Sequence, residues 1–319
     1  MGYTEPDRVS CFETVVDGNH TFGDGKTANF RLVYDALSGA SANGAVPSSG
    51  PQVFTTPSGR GSYTVDAGTT PLDPTFHDAR VAVSGGAGLP VGRLGKWSAG
   101  LYGSTEHDYT SLGANTVLTR DLNKRNTTLA VRAAFFHDTI NPEGRRPVPL
   151  AVMPSSGSAL PRLEDDGTKE VLDLGFAVTQ VLDPRTILHL NYAHSRVRGY
   201  QTDPYKILSL VDDATGDPVD YLYEFRPDRR GKNILFGRLA HSLGRDVLQL
   251  TYRYMHDDWA IDSHTVEARY RWNVGAKTYL QPNVRWYTQT AADFYHRYLT
   301  EGEALPGHAT ADYRLSAMD

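Results

Sequence analysis

The chain has 319 residues, 39% hydrophobic and 22% charged, with a formal net charge of -5 and a single cysteine, Cys11. No stretch approaches the roughly 18 to 20 uninterrupted apolar residues of a spanning helix, which excludes a helical membrane protein. One cysteine excludes an internal disulfide and any multi-cysteine metal or iron–sulfur site. The basic residues are mostly Arg, scattered without a tail or stripe, so no nucleic-acid partner is expected.

Thirty Gly, eighteen Pro and eighteen Tyr favour turns and aromatic strands. Taken in chain order, about thirteen strands are expected near 8–17, 26–38, 76–91, 95–108, 110–122, 126–139, 168–182, 185–200, 232–243, 246–258, 261–274, 276–291 and 308–319. The later ones alternate most cleanly. Leu248, Leu250, Tyr252 and Tyr254 share one face, and Gln249, Thr251, Arg253, Met255 and Asp257 the other. Val266, Ala268, Tyr270 and Trp272 likewise oppose Thr265, Glu267, Arg269 and Arg271. The last segment sets Ala309, Ala311, Tyr313 and Leu315 against Thr310, Asp312, Arg314 and Ser316. Most of these strands exceed ten residues, longer than the five or six typical of globular sheets and matched to the roughly 9 to 11 of a tilted membrane-spanning strand. The fold class predicted is all-β: an antiparallel transmembrane β-barrel, a single domain over 1–319.

Connections sort by parity. Turns such as Asp183-Pro184 and Gly244-Arg245 are short, whereas 39–75, 140–167, 201–231 and 292–307 are long and rich in Gly, Ser, Pro and Asp. Short turns on one rim and long loops on the other mark an outer-membrane barrel, with the loops extracellular. On this reading about thirteen strands of an original fourteen to sixteen are present, the chain is a fragment incomplete at both ends, and its opening MGYTEPDRVS carries no signal peptide. The expected location is the bacterial outer membrane.

Arg253, Glu267, Arg269, Arg271, Arg285 and Arg314 all fall opposite the aromatics and are expected to face the lumen. A one-residue shift would drive them into lipid, at about 2 to 4 kcal/mol per basic group at midplane. There they either pair across strands and stiffen the lumen or select anionic solutes. Trp97 and Trp272 near short turns, and Tyr192, Tyr254 and Trp259 near the loops, are expected to form two interfacial girdles; the competing reading is the core of a soluble β-sandwich.

The dipeptide His-Asp occurs four times, at His77, His107, His137 and His256, more often than eleven His and 27 Asp give by chance. The segment His256, Asp257, Asp258, Asp262, His264 gathers five potential ligands for a divalent cation at the extracellular rim, imidazoles for a transition metal or carboxylates for calcium. The alternative is a solvated polar rim against lipopolysaccharide. No resident cofactor is expected otherwise, and no catalytic residue is assigned. Gly25-Lys26-Thr27 looks like the end of a phosphate-binding loop, but His20 stands where its first Gly is required. A rim hydrolase using Asp and His to activate water is the remaining enzymatic alternative.

The stretches Tyr34–Ser41, His256–Thr265, Ala291–Tyr295 and Ala311–Ser316 resemble, in the same order, a bacterial family catalogued as domain of unknown function 3570. The resemblance spans nearly the whole chain and implies an outer-membrane barrel. It also implies redox partners, because some family members are encoded beside a periplasmic flavin transferase and a thioredoxin-like protein. The function expected is a pore for a small solute or a scaffold for an envelope assembly, or else a non-conducting barrel coupled to periplasmic flavin or thiol chemistry. Expected partners are outer-membrane lipid, lipopolysaccharide and the barrel-assembly machinery.

Overall fold

The computed structural model describes residues 2–5, 9–275 and 277–319. The strands in chain order are β1 (Gly2–Glu5), β2 (Val9–Thr21), β3 (Thr27–Ala42), β4 (Gln52–Thr55), β5 (Ser62–Val65), β6 (Leu72–Val91) and β7 (Gly95–Thr105). Next come β8 (Tyr109–Leu122), β9 (Thr127–Ile140), β10 (Gly167–Asp183), β11 (Thr186–Gly199), β12 (Ile207–Val211) and β13 (Pro218–Tyr223). The series ends with β14 (Arg229–Leu243), β15 (Asp246–Asp257), β16 (Asp262–Asn273), β17 (Tyr279–Leu280), β18 (Asn283–Gln289) and β19 (Leu299–Thr300). Fourteen of these form one antiparallel wall in the order β1-β2-β3-β6-β7-β8-β9-β10-β11-β14-β15-β16, with β17 and β18 both on β16. β4 and β5 make a separate hairpin, and β13-β12-β19 a small three-stranded sheet.

The two faces of the wall are identified by what packs on them. Met255 of β15 and its cross-strand partner Ile234 of β14 join a buried cluster formed by the loops, so theirs is the inner face. Pleating then assigns every second residue: Arg253 and Thr251 point inward, Leu250 and Tyr252 outward. The outward residues include Phe12, Leu101, Val131, Phe176, Leu250 and Val284, all exposed apolar side chains that suit hydrocarbon and not water. Trp97 and Trp272, next to the short turns, and Tyr192, toward the loops, are also exposed, as interfacial aromatics should be.

Twelve of the expected strands are present. Arg8 and Ala276, at the start of two of them, lie outside the described residues. The segment 276–291 is divided into β17 and β18 around Pro282, whose ring removes a ladder donor. β1 was not anticipated. The last expected strand, 308–319, is not part of the wall. Ala309, Thr310, Ala311 and Asp312 are all buried, on both sides of the alternation, and the chain then bends into a short 3-10 turn over Tyr313–Leu315 because Asp312 accepts hydrogen bonds from its own downstream Arg314. Arg314, expected on the lumen wall, therefore belongs to the loops.

The face assignment has a direct test. Leu250→Arg places a charge in lipid and is expected to block assembly, whereas Thr251→Arg, on the inner face, is expected to assemble. Heat-modifiable gel migration of the two variants reads the difference, and equal tolerance would contradict the assignment.

Candidate functional site: the capped lumen

The long loops, expected to be irregular, fold together into a cap at one end of the wall. Three apolar clusters hold it. Phe54 of β4 packs with Ala45, Ile207 and Tyr223; Leu208 and Leu222 pack with Leu299, Ala309 and Ala311; and Trp259, Ile261, Ala292, Phe294 and Leu315 close around Met255. Burying a side chain of this size contributes about 1.5 to 3 kcal/mol, which is how segments rich in Gly and Pro acquire fixed positions. Trp259, expected in an interfacial girdle, is instead almost fully buried. Its ring meets Phe294 edge-on at 5.0 Å, lies under the Arg230 guanidinium at 4.1 Å, and donates its indole N–H to the Arg229 carbonyl at 2.8 Å.

A buried ionic network locks the end of the chain to the 200–228 loop. Residues 225 and 309 exchange two backbone hydrogen bonds of 2.9 Å. Beside them Glu224, wholly buried, accepts from Arg226 Nη2 at 3.0 Å and from the Asp203 N–H at 2.6 Å, and its Oε1 lies 2.6 Å from Arg226 Nε in the same ion pair. Arg226 also reaches Asp312 at 2.9 Å, and Arg314 reaches both Asp312 and Asp203, the latter at 3.3 Å. Burial pushes the Glu224 carboxyl up to about 7, more than Arg226 and Thr310 pull it down. Burial also pushes Asp312 upward, but the hydrogen bonds and charge of Arg314, with the charge of Arg226, outweigh it and hold that carboxyl at about 2.

The four His-Asp pairs acquire a structural meaning. Where the pair lies in a wall strand, alternation turns the histidine outward and the aspartate inward. Asp257 binds Arg230 Nε at 2.8 Å and accepts the N–H groups of Trp259 and Ile261 at 3.0 Å each. Asp138 accepts the Tyr109 hydroxyl and lies 3.3 Å from Lys169 Nζ. Asp108, in the turn between β7 and β8, accepts the Tyr205 hydroxyl of the cap. The aspartates are thus anchors inside the loop end, and His137 and His256 are exposed outside it.

The five proposed rim ligands are divided by the same alternation. His256, Asp262 and His264 stand on the outward face, where His256 Nδ1 is 3.1 Å from Asp262 and His264 hydrogen-bonds Tyr252 at 2.8 Å. Asp257 faces inward, and Asp258 accepts the Gly231 N–H at 2.8 Å. Among the described residues no three His, Cys, Asp or Glu side chains converge as metal ligands.

Arg253, Glu267, Arg269, Arg271 and Arg285 share the ladder register of Met255 across β15, β16 and β18. Glu267 pairs with Arg269 on its own strand and stands opposite Arg285 of β18. Arg271 lies 4.0 Å over the Tyr279 ring, and Arg253 is opposite Phe236 and Thr265. On the far side of the wall Arg80 grips Asp35 through Nε at 3.0 Å and Nη2 at 2.8 Å. Cross-strand pairing accounts for part of this inner charge.

Between cap and rim lies a cavity of about 510 Å³. Its walls are Asp203, Tyr205, Lys206 and Arg314 from the cap, and His77, Asp78, His107 and Asp108 from the rim. Lys206 Nζ donates to Ser41 Oγ at 3.3 Å, tying the cap to the end of β3. Behind the rim, burial and the charge of Asp78 push the Glu106 carboxyl up to about 7. Of these cap residues only Arg314 stood out in the sequence, as a lumen charge, and the other signal for the site was the repeated His-Asp pair.

The network makes the cap pH-sensitive. Glu224 has a folded-state pKa above its ordinary 4.5, so its contribution is fully present below that value and is lost as pH rises through about 7. Asp312 is shifted the other way, so its contribution is present above its ordinary 3.8 and is lost as pH falls toward about 2. Cap amides, corrected for intrinsic exchange rates, are expected to lose hydrogen-exchange protection between pH 4.5 and about 7, and Glu224→Gln to flatten that dependence. An unchanged slope in the variant would show that Glu224 is not the titrating group.

No curated protein matches the chain. Among solved structures it is similar to the CymD monoaromatic hydrocarbon channel, at 9% identity and a TM-score of 0.39, over 88% of this chain and 83% of that one. It is also similar to the beta domain of the Bordetella autotransporter BrkA, at 7% identity and a TM-score of 0.30, over 89% of this chain and 93% of that one. The wall, with its apolar outer face, polar inner face and unequal rims, is that of an outer-membrane-type β-barrel. The chain belongs to the family described as Protein of unknown function (DUF3570), whose model matches residues 1–319.

Proposed function

We propose that the protein is an integral bacterial outer-membrane barrel that passes a small polar solute, with the cap as its gate on the extracellular side. The observation that carries this reading is the 510 Å³ cavity between cap and rim, lined by acidic, basic and hydroxyl groups drawn from both. A cavity of that size admits a small solute. A mixed lining, in which charged and hydroxyl groups stand beside Leu37, Ala40 and Leu72, fits a passage at the mouth of a polar lumen better than a closed support. In this orientation the short turns are periplasmic, and the exposed His137 and His256 lie at the level of lipopolysaccharide headgroups.

The gate has an identifiable latch. Tyr205 of the cap donates to Asp108 of the rim, and its hydroxyl also accepts the Glu143 N–H at 3.1 Å. Losing a hydrogen bond to a charged group costs about 1.5 to 3 kcal/mol, enough to raise the population of an opened cap about tenfold or more. Planar-bilayer recordings are expected to show small discrete conductance steps for the parent protein and about tenfold more frequent opening for Tyr205→Phe. No discrete conductance in either protein would favour a scaffold role and overturn the passage.

A further inference from the structure

The cap loops hold another cavity, of about 640 Å³, lined wholly by loop residues. Two of the long loops meet there, 39–75 and 140–167. Gly144 has φ +74 and approaches Pro57 so closely that an added Cβ would lie 2.0 Å from its carbonyl oxygen. Gly59, at φ +73, meets Leu160 in the same way, at 2.7 Å, and the Gly157 N–H donates to the Gly59 carbonyl at 3.3 Å. These contacts need glycine, since a side chain would both clash and strain the left-handed backbone. They bring Arg60, Arg145 and Arg162 to line one cavity, together with Ser58 and Ser158 and with no carboxylate among the lining residues.

Arg162 is the informative member. Its backbone is fixed by a bridge to Pro147, and its Nη2 donates to the Tyr223 hydroxyl at 3.2 Å while its guanidinium lies 4.4 Å over the Tyr223 ring. Its Nε and Nη1 are buried and have no hydrogen-bond partner. A buried guanidinium with unmatched N–H groups is costly unless an acceptor completes it. Arg60 and Arg145, both exposed, add positive charge at the same place.

We propose that this cavity binds a phosphate group carried by a soluble solute. One carboxylate is satisfied by a single bidentate arginine, whereas three guanidinium groups from two loops match a dianion with several acceptor oxygens. The lining comes wholly from loop residues and none of it from the outward face of the wall, which favours a dissolved ligand over a lipid headgroup. The assignment does not depend on the barrel being a passage.

Titration calorimetry of the refolded full-length protein with inorganic phosphate tests it. Saturable, salt-sensitive binding is expected, weakened about tenfold or more in both Arg60→Gln and Arg145→Gln, as loss of one charge-assisted contact implies. These two side chains are exposed, so heat-modifiable migration and Trp259 fluorescence should stay unchanged; Arg162→Met adds a third variant if it folds. A parallel titration with lipopolysaccharide micelles separates the two sources of phosphate. No saturable heat with phosphate, unaltered affinity in both exposed variants, or arginine-dependent binding of the lipopolysaccharide alone would each overturn the proposal.

Discussion

Everything in this structure rests on the requirement that backbone N–H and C=O groups in hydrocarbon find partners within the protein, each unmet group costing several kcal/mol. The antiparallel ladders from β2 to β16 meet that requirement with near-continuous pairing, and the pleat that comes with them forces neighbouring residues to opposite faces. Lipid on one side and a polar lumen on the other then dictate the composition of each strand. Leu250 and Thr251 differ in role only because they are one residue apart.

The same alternation governs the rim. A His-Asp pair in a spanning strand is not one site but two half-sites on opposite faces, and the inward aspartate is available to hold the cap. Asp257 does so through the N–H groups of Trp259 and Ile261, and Asp108, in a turn, through Tyr205, whereas Asp138 joins Tyr109 and Lys169 of the neighbouring strands. The cap in turn supplies what a barrel wall lacks, an apolar core. Its clusters around Phe54, Leu208 and Trp259 are compact and dry, while the wall offers its apolar side chains to lipid.

Buried charge and apolar packing work together in the cap. Glu224, Arg226, Asp312 and Arg314 satisfy one another and join the chain's final segment to the 200–228 loop. A buried pair of this kind is weak evidence for added stability, yet removing one partner leaves an uncompensated charge. The network therefore specifies which loops meet. The two cavities of the cap have different linings, mixed and partly acidic in the one that meets the rim and basic in the other.

The sequence by itself determined the wall: strand lengths near ten residues, period-two alternation and loops sorted by parity are local properties that lipid makes obligatory. It placed Arg253, Glu267, Arg269, Arg271 and Arg285 on the inner face for the same reason. Only the tertiary structure decided the cap, since Gly- and Pro-rich segments carry no periodicity to read and are ordered by contacts between loops as distant as residues 44, 207 and 311. The final segment shows the difference most clearly. Residues 308–316 alternate like a strand, but Arg226, far back in the chain, offers Asp312 a buried partner, and a buried ion pair with packing on both sides outweighs a pattern that would have set Asp312 and Arg314 along the lumen. The His256–His264 segment could be read as one site for a related reason: spacing along the chain counts neighbours, whereas the pleat decides which of them share a face.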